Sequence, residues 1–186
     1  TSPTEFTGLA PRMDALATTS NVLNEGGTGS DVTSIFVVTW GANTAHMLYP
    51  RGSVAGLEMN DLGIVDALDA DNLKFRAYAT EFKWNIGLAI KHTKAIGRIA
   101  NIESAGSANL FDEDNLITLC NRMVINENTR IYCNETVMTQ AEIRLKDKSN
   151  VNWSQKDGLG GVPFMQFRGI PVRKCEAILN TETALT

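Results

Sequence analysis

The clearest pattern in the sequence is an alternation of apolar with polar or small residues between positions 78 and 90. With the exception of position 80, every second residue of this stretch is large and apolar: Tyr78, Phe82, Trp84, Ile86, Leu88 and Ile90. A period of two places these side chains on one face of a β-strand. The pattern therefore predicts one long strand with a buried face, longer than the average strand of about five or six residues.

A run of β-branched and aromatic residues, Thr33–Trp40, predicts a second strand. Both of its faces are apolar, so we expect it to be buried on two sides. Gly41–Asn43 predicts a turn, after which Ala45–Tyr49 returns as the partner strand of a hairpin. Further strand-like pieces flank a polar turn predicted at Asp69–Asn72.

Two helices are predicted in the second half, each behind a residue that can cap it. Asp112 precedes the first helix, and Glu113 and Asp114 lie in its first turn, where the helix dipole favours negative charge. Its apolar stripe has helical spacing: Leu116, Leu119, Cys120 and Met123. Asn134 precedes the second helix, a short strand separates the two helices, and two more strands flank Arg168–Pro171.

This order of elements predicts an α+β protein with more strand than helix. We divide it into an irregular entry segment (1–30), a β-rich section (31–104) and a helix-containing section (105–186). The chain begins with threonine rather than methionine, so we expect it to be part of a longer product or a processed chain.

Composition narrows the function classes. A net charge of −4 gives no sign of the strongly basic face that sequence-independent binding of nucleic acid requires. Hydrophobic residues make up 43% of the chain, but no apolar run approaches the ~18 residues of a membrane span. Cys120, Cys133 and Cys175 form no C-x-x-C pair, so we expect buried thiols in a reducing compartment.

Residues with catalytic or metal-binding chemistry are scattered. His46 and His92 lie in no ligand spacing, and residues 26–30 (GGTGS) lack the lysine of a phosphate-binding loop. The acidic clusters Asp69–Asn72 and Asp112–Asn115 lack calcium-loop spacing and are interpreted as a turn and a helix start. The sequence therefore predicts no catalytic, metal or cofactor site, although triad residues need not be adjacent in sequence.

One polar, glycine-rich segment, residues 149–161, is predicted to be a loop with a candidate subunit contact. Trp153 stands in it together with Lys156 and Asp157, and tryptophan is enriched among residues that dominate protein interfaces. The alternative interpretation is that Trp153 folds back onto its own domain.

Five segments carry a family resemblance: EFTGLAPR (5–12), GGTGSDVTSIFVVTWG (26–41), YPRGSVAGLEMNDLG (49–63), EFKWNIGLAI (81–90) and FRGIPVRKCEAILNTET (167–183). In this order they resemble the major capsid proteins of tailed bacteriophages and prophages, whose fold is named after phage Hong Kong 97. The resemblance spans nearly the whole chain and implies a non-enzymatic shell subunit without cofactors. Relatives have a long N-terminal region before EFTGLAPR, so the resemblance implies a C-terminal portion of the fold.

The resemblance also implies partners and placement. Copies of the chain are expected to form pentameric and hexameric capsomers, with a scaffolding protein and a portal as further partners. The shell is expected to enclose DNA without sequence-specific binding and without a membrane, after assembly in the bacterial cytoplasm. The strand near 74–92 would belong to a peripheral sheet and residues 105–180 to an axial core. The lysine and asparagine that some relatives cross-link do not map onto Lys91, Lys94 or Asn101.

Two other functions stay open on the sequence alone. A small hydrolase would need a convergent polar pocket. A monomeric binding module, such as a head–tail adaptor or another virion component, would be a stable monomer with one polar groove.

Overall fold

The computed structural model describes residues 7–16, 21–146, 152–157 and 163–186. These residues contain two α-helices, α1 (Glu113–Arg122) and α2 (Glu135–Leu145), and eleven strands. In chain order the strands are β1 (Val22–Asn24), β2 (Val32–Thr39), β3 (Ala45–Leu48), β4 (Leu57–Leu68), β5 (Lys74–Trp84), β6 (Gly87–Ile90), β7 (Ile96–Glu103), β8 (Thr129–Cys133), β9 (Trp153–Asp157), β10 (Pro163–Phe167) and β11 (Ile170–Lys174). This mixed, sheet-rich content confirms the α+β class.

The chain divides into two compact units. The smaller contains Met47–Ala89, and the larger contains Gly8–His46 and Ile90–Thr186. The three sections drawn from the sequence do not follow these units, because strands from both sides of residue 104 join one sheet. The assignment of these sections to a peripheral and an axial domain stays a prediction.

A seven-stranded sheet organises the larger unit, in the order β1-β7-β2-β8-β11-β10-β9. Strand β2 lies at its interior and runs antiparallel to both β7 and β8. All eight residues of β2 are buried, which confirms the burial expected from its two apolar faces. Ile35 and Val37 pack with buried side chains of α1 and α2, whereas Phe36 and Val38 belong to a second cluster with Met13.

The predicted hairpin between Thr33–Trp40 and Ala45–Tyr49 is wrong. The turn itself is present, since the Gly41 N–H donates to the Ala45 carbonyl at 2.9 Å. However, β2 takes β7 and β8 as its neighbours, and β3 pairs with β6 in a separate two-stranded sheet. A strand buried on both faces is stabilised by neighbours at both edges, and here those neighbours come from distant sequence.

Both helices begin at the predicted caps. Asp112 Oδ1 accepts from the Asp114 N–H at 3.2 Å, and Asn134 Oδ1 accepts from the Val137 N–H at 3.0 Å. The stripe predicted for α1 is buried: Leu116, Leu119, Cys120 and Met123. Side-chain acceptors at these positions satisfy amide groups that the helix itself leaves unpaired.

The long strand predicted near 74–92 is two strands rather than one. β5 ends at Trp84 and β6 begins at Gly87, and the two have different partners, β4 and β3. Between them the Asn85 N–H donates to the Gly56 carbonyl at 2.9 Å. A Cβ on Gly56, which has a φ of +80°, would lie 2.2 Å from the Asn85 carbonyl oxygen, so this close approach requires glycine.

Candidate subunit interface

The smaller unit contains an antiparallel ribbon of β4 and β5 joined by the predicted turn. The Asp69 side chain forms this turn, since its Oδ1 accepts from the N–H groups of Asp71 and Leu73, at 2.9 Å each. Directly opposed residues of such a pair lie on the same face. Three opposed pairs are large and apolar: Leu57 with Trp84, Met59 with Phe82, and Ile64 with Tyr78. We call these six residues the apolar face of the ribbon.

A β-bulge at Leu62 keeps Ile64 on the same face as Met59, with the polar pair Asp61 and Thr80 between them. The register passes from Asp61 opposite Thr80 to Gly63 opposite Ala79, so Leu62 is an extra residue in β4. Without it, Ile64 would lie on the other face of the ribbon from Met59, because a shift of one residue reverses side-chain direction. Gly63 has a φ of +67°, a conformation that favours glycine.

The opposite face of the ribbon is mostly polar or small, with Val65 and Phe75 as the apolar exceptions. Its opposed pairs are Glu58 with Lys83, Asn60 with Glu81, Gly63 with Ala79, Val65 with Ala77, and Ala67 with Phe75. The ribbon is therefore amphipathic, and its large apolar side chains are concentrated on one side.

The apolar face is exposed. Tyr78 is 85% exposed, Phe82 65% and Trp84 64%, so the described part of the chain does not bury this face as predicted. Trp84 is held in place by its indole N–H, which donates to the Ala55 carbonyl at 2.9 Å. Contiguous exposed apolar surface on a soluble protein is typical of a surface that another molecule covers.

Residues 153–157 of the segment predicted as a contact loop form strand β9, at the edge of the seven-stranded sheet. The loop prediction is wrong for these residues, because they pair with β10, with Trp153 opposite Phe167. Positions 149–151 and 158–161 of the segment lie outside the described residues. Trp153 is 6% exposed and packs edge-to-face against Phe167 and Phe111, at centroid distances of 4.8 and 6.0 Å. The alternative interpretation of Trp153 is therefore the one observed. A contact role for Lys156 and Asp157, whose side chains lie outside the described part, stays a prediction.

Comparison with known protein families identifies the kind of protein that has these surfaces. A family model described as "Major capsid protein GP7" matches residues 1–186, the whole length of the chain. The chain belongs to this family. It is thus a structural subunit of a phage capsid, a component of the virion that associates with other capsid subunits. No curated protein matches the chain.

His92 and the two acidic clusters have structural roles in this capsid protein. His92 Nδ1 accepts from the Lys94 N–H at 3.1 Å and caps a short 3-10 helix, while the ring of His46 has a buried Nδ1. Within the described residues, no three His, Cys, Asp or Glu side chains are grouped to hold a metal ion. The two acidic clusters are a turn and a helix start, as predicted.

Cys120 and Cys133 are buried as predicted, whereas Cys175 is only partly buried, so the prediction of buried thiols is wrong for Cys175. Burial raises the pKa of Cys120 to about 11 and that of Cys133 to about 12. Both side chains therefore stay protonated thiols near neutral pH, and a thiol is far less reactive than a thiolate.

An open pocket of about 340 Å³ lies at the end of β2, lined by Trp40, Gly41, Asn128, Arg130 and Tyr132. Its tryptophan N–H donates to the Tyr132 hydroxyl at 2.9 Å, and Arg130 donates to the carbonyls of Glu127 and Thr129 at 2.8 Å. These donors bind within the chain, so they are not arranged around a ligand. No helix in the described part of the capsid protein is long and apolar enough to cross a membrane.

Proposed function

We propose that this capsid protein is a subunit of an icosahedral bacteriophage or prophage shell with the Hong Kong 97-type fold. Its copies form pentameric and hexameric capsomers through symmetric contacts, and the closed shell encloses DNA. The protein assembles in the host cytoplasm, with a scaffolding protein and a portal as partners.

The observation that carries the proposal is the exposed apolar face of the ribbon. A protein that stays a monomer would gain nothing from six large apolar side chains in water, since such a surface promotes association. A shell subunit needs such a surface, because symmetry gives every copy a neighbour that covers its apolar face.

The proposed placement within the fold follows the two units. The ribbon belongs to the peripheral part of the subunit, and the sheet with α1 and α2 belongs to the axial part. Strand β9 forms a second contact region, in which Lys156 and Asp157 face a neighbouring subunit. An edge strand supports this role because its outer backbone groups are available for pairing.

The proposed relation to DNA is enclosure without sequence-specific binding. The net charge of −4 supports it, because a basic surface would hold packaged DNA through its phosphates. The protein is proposed to have no catalytic activity. The raised pKa values of Cys120 and Cys133 support this, as do the structural roles of Asp69 and Asp112.

The proposal is tested by expressing the complete reading frame and imaging the product by negative-stain electron microscopy. Closed shells, tubes or rings of five or six subunits are the expected result. A dispersed monomer, in the presence of a co-encoded scaffolding protein, would contradict the proposal and favour a head–tail adaptor.

A further inference from the structure

We propose that the apolar face of the β4–β5 ribbon docks onto a second copy of this chain, with Tyr78, Phe82 and Trp84 as its anchors. This inference rests on the proposed shell function and adds the surface and its partner.

The size of the face fits a protein interface. An aromatic side chain has about 150–250 Å² of surface, so Tyr78, Phe82 and Trp84, at 85%, 65% and 64% exposed, present on the order of 400 Å². That alone reaches the range of the largest apolar patch on a typical monomer, roughly 300–600 Å². Leu57, Met59 and Ile64 extend it toward the roughly 800 Å² that each partner contributes to a standard interface.

The side chains on this face are also those that dominate interface energetics. Tyrosine and tryptophan are enriched among the residues whose truncation weakens binding most, and these lie at the centre of an interface. The face also has two polar pairs, Asp61 opposite Thr80 between the apolar pairs and Asp66 opposite Arg76 at its far end. Protein–protein contacts commonly combine apolar anchors with polar residues in this way.

Among the described residues, no further layer covers the large apolar side chains of the ribbon. A two-stranded hairpin is marginally stable in water, and independent stability requires a third strand or a packed helix. The ribbon sheet has two strands, and its large apolar side chains are exposed. A protein surface packed on this face supplies the missing layer.

Charge argues against DNA or an anionic lipid surface as the occupant. Residues 57–84 contain six acidic and three basic side chains, a net charge of −3. Such a segment is repelled by phosphate groups. A second copy is favoured because a major capsid protein associates with copies of itself, and symmetry then repeats the same contact on every copy.

The experiment places a photo-reactive phenylalanine analogue at Tyr78 or Phe82 of the complete protein, co-assembled with excess wild-type chain. The matched control has the analogue at Phe75, which is on the same strand, 49% exposed and on the opposite face. Irradiation is expected to link positions 78 and 82 to a second copy, with about tenfold less product from position 75.

A parallel experiment compares Phe82→Ser with Phe75→Ser. Both side chains are exposed, so both variants are expected to fold, as circular dichroism would show. Phe82→Ser is expected to lower the yield of shells by about tenfold, whereas Phe75→Ser changes it by less than about twofold.

The outcomes separate this inference from the proposed function. Shells that form without cross-links at 78 or 82, and with full yield from Phe82→Ser, would overturn the docking surface and leave the shell function intact. Cross-links to a scaffolding protein alone would assign the face to that partner and overturn the second copy. A wild-type chain that stays monomeric and gives no cross-linked dimer would overturn both.

Discussion

Arg98 and Glu182 form an ion pair that ties the C-terminal residues to the seven-stranded sheet. Arg98 Nη2 donates to Glu182 Oε2 at 2.8 Å, and the arginine is 4% exposed. The same guanidinium donates through Nε to Ser34 Oγ at 3.0 Å and through Nη1 to the Met13 carbonyl at 2.8 Å. The Glu182 N–H completes the attachment by donating to the Val32 carbonyl of β2 at 3.0 Å.

Replacing this arginine is expected to destabilise the larger unit. Arg98→Met removes the arginine donor from the Met13 carbonyl and leaves Glu182 Oε2 with the Ser34 hydroxyl alone, and breaking a buried pair from one side costs about 3 kcal/mol. Urea denaturation of the purified protein measures the change. Arg76→Met is the matched control, because Arg76 lies 3.9 Å from Asp66 with 82% of its side chain exposed, and such pairs contribute about 0–1 kcal/mol. Equal losses for the two variants would contradict this account.

The Asn134 cap is expected to contribute more to the free energy of unfolding than the Asp112 cap. Asn134 is 4% exposed, and besides accepting from Val137 it donates to Thr33 Oγ1 at 2.8 Å. Asn134→Ala is expected to lower the free energy of unfolding by about 2–3 kcal/mol, because a buried partner is left unpaired. Asp112→Ala, at an exposed cap, is expected to cost about 1 kcal/mol. Thermal denaturation of the two variants measures these losses. A larger loss of stability for Asp112→Ala than for Asn134→Ala would contradict the greater importance of the buried cap.

The environment of Glu25 predicts that the stability of the folded chain depends on pH. Burial raises the pKa of Glu25, in spite of hydrogen bonds from the Asp112 N–H and Asn115 Nδ2 at 3.0 and 2.8 Å. Because the folded-state pKa is the higher one, the stability contributed by Glu25 is fully present below its unfolded pKa. It is lost as pH rises through its folded pKa.

Glu25→Gln cannot ionise, so its stability relative to the wild type is expected to rise between about pH 4 and pH 7. Denaturant unfolding of both proteins across this range measures the difference. A difference that stays constant or falls with pH would show that the pKa of Glu25 is not raised in the folded chain.

Replacing Trp153 is expected to affect the stability of the chain, whereas replacing Trp84 is expected to affect assembly. Trp153 is in the core against Phe167, so Trp153→Ala is expected to cost about 3–5 kcal/mol of stability. Trp84 is exposed on the apolar face, so Trp84→Ala is expected to cost about 1 kcal/mol or less in the free chain but to impair assembly. Both predictions are checked by measuring denaturation and the yield of shells for each variant. Unchanged stability of the Trp153→Ala variant would contradict the core position of Trp153 and favour an exposed contact residue.

The parts of the fold that the sequence predicts correctly are local. Asp112 and Asn134 cap their helices because a capping side chain reaches amides only two or three residues away. The Asp69 turn follows the same logic, since one carboxylate oxygen accepts from the amides of Asp71 and Leu73, two and four residues further along the chain.

The errors concern partners that are distant in sequence. The composition of β2 indicates burial on both faces, but nothing in it identifies β7 or β8 as neighbours in place of β3. The alternation in β5 indicates which side chains share a face, and it contains no information about the molecule that covers that face. The bulge at Leu62 and the close approach of Gly56 to Asn85 likewise depend on pairing that only the folded chain defines.

The most direct test of the account is negative-stain electron microscopy of the complete wild-type protein and its Phe82→Ser variant, prepared in parallel with any co-encoded scaffolding protein. The account predicts closed shells or capsomer rings from the wild type and few or none from the variant. Dispersed monomers from the wild type, or equally abundant shells from both proteins, would contradict the claim that this is a shell subunit which associates through the apolar face of its ribbon.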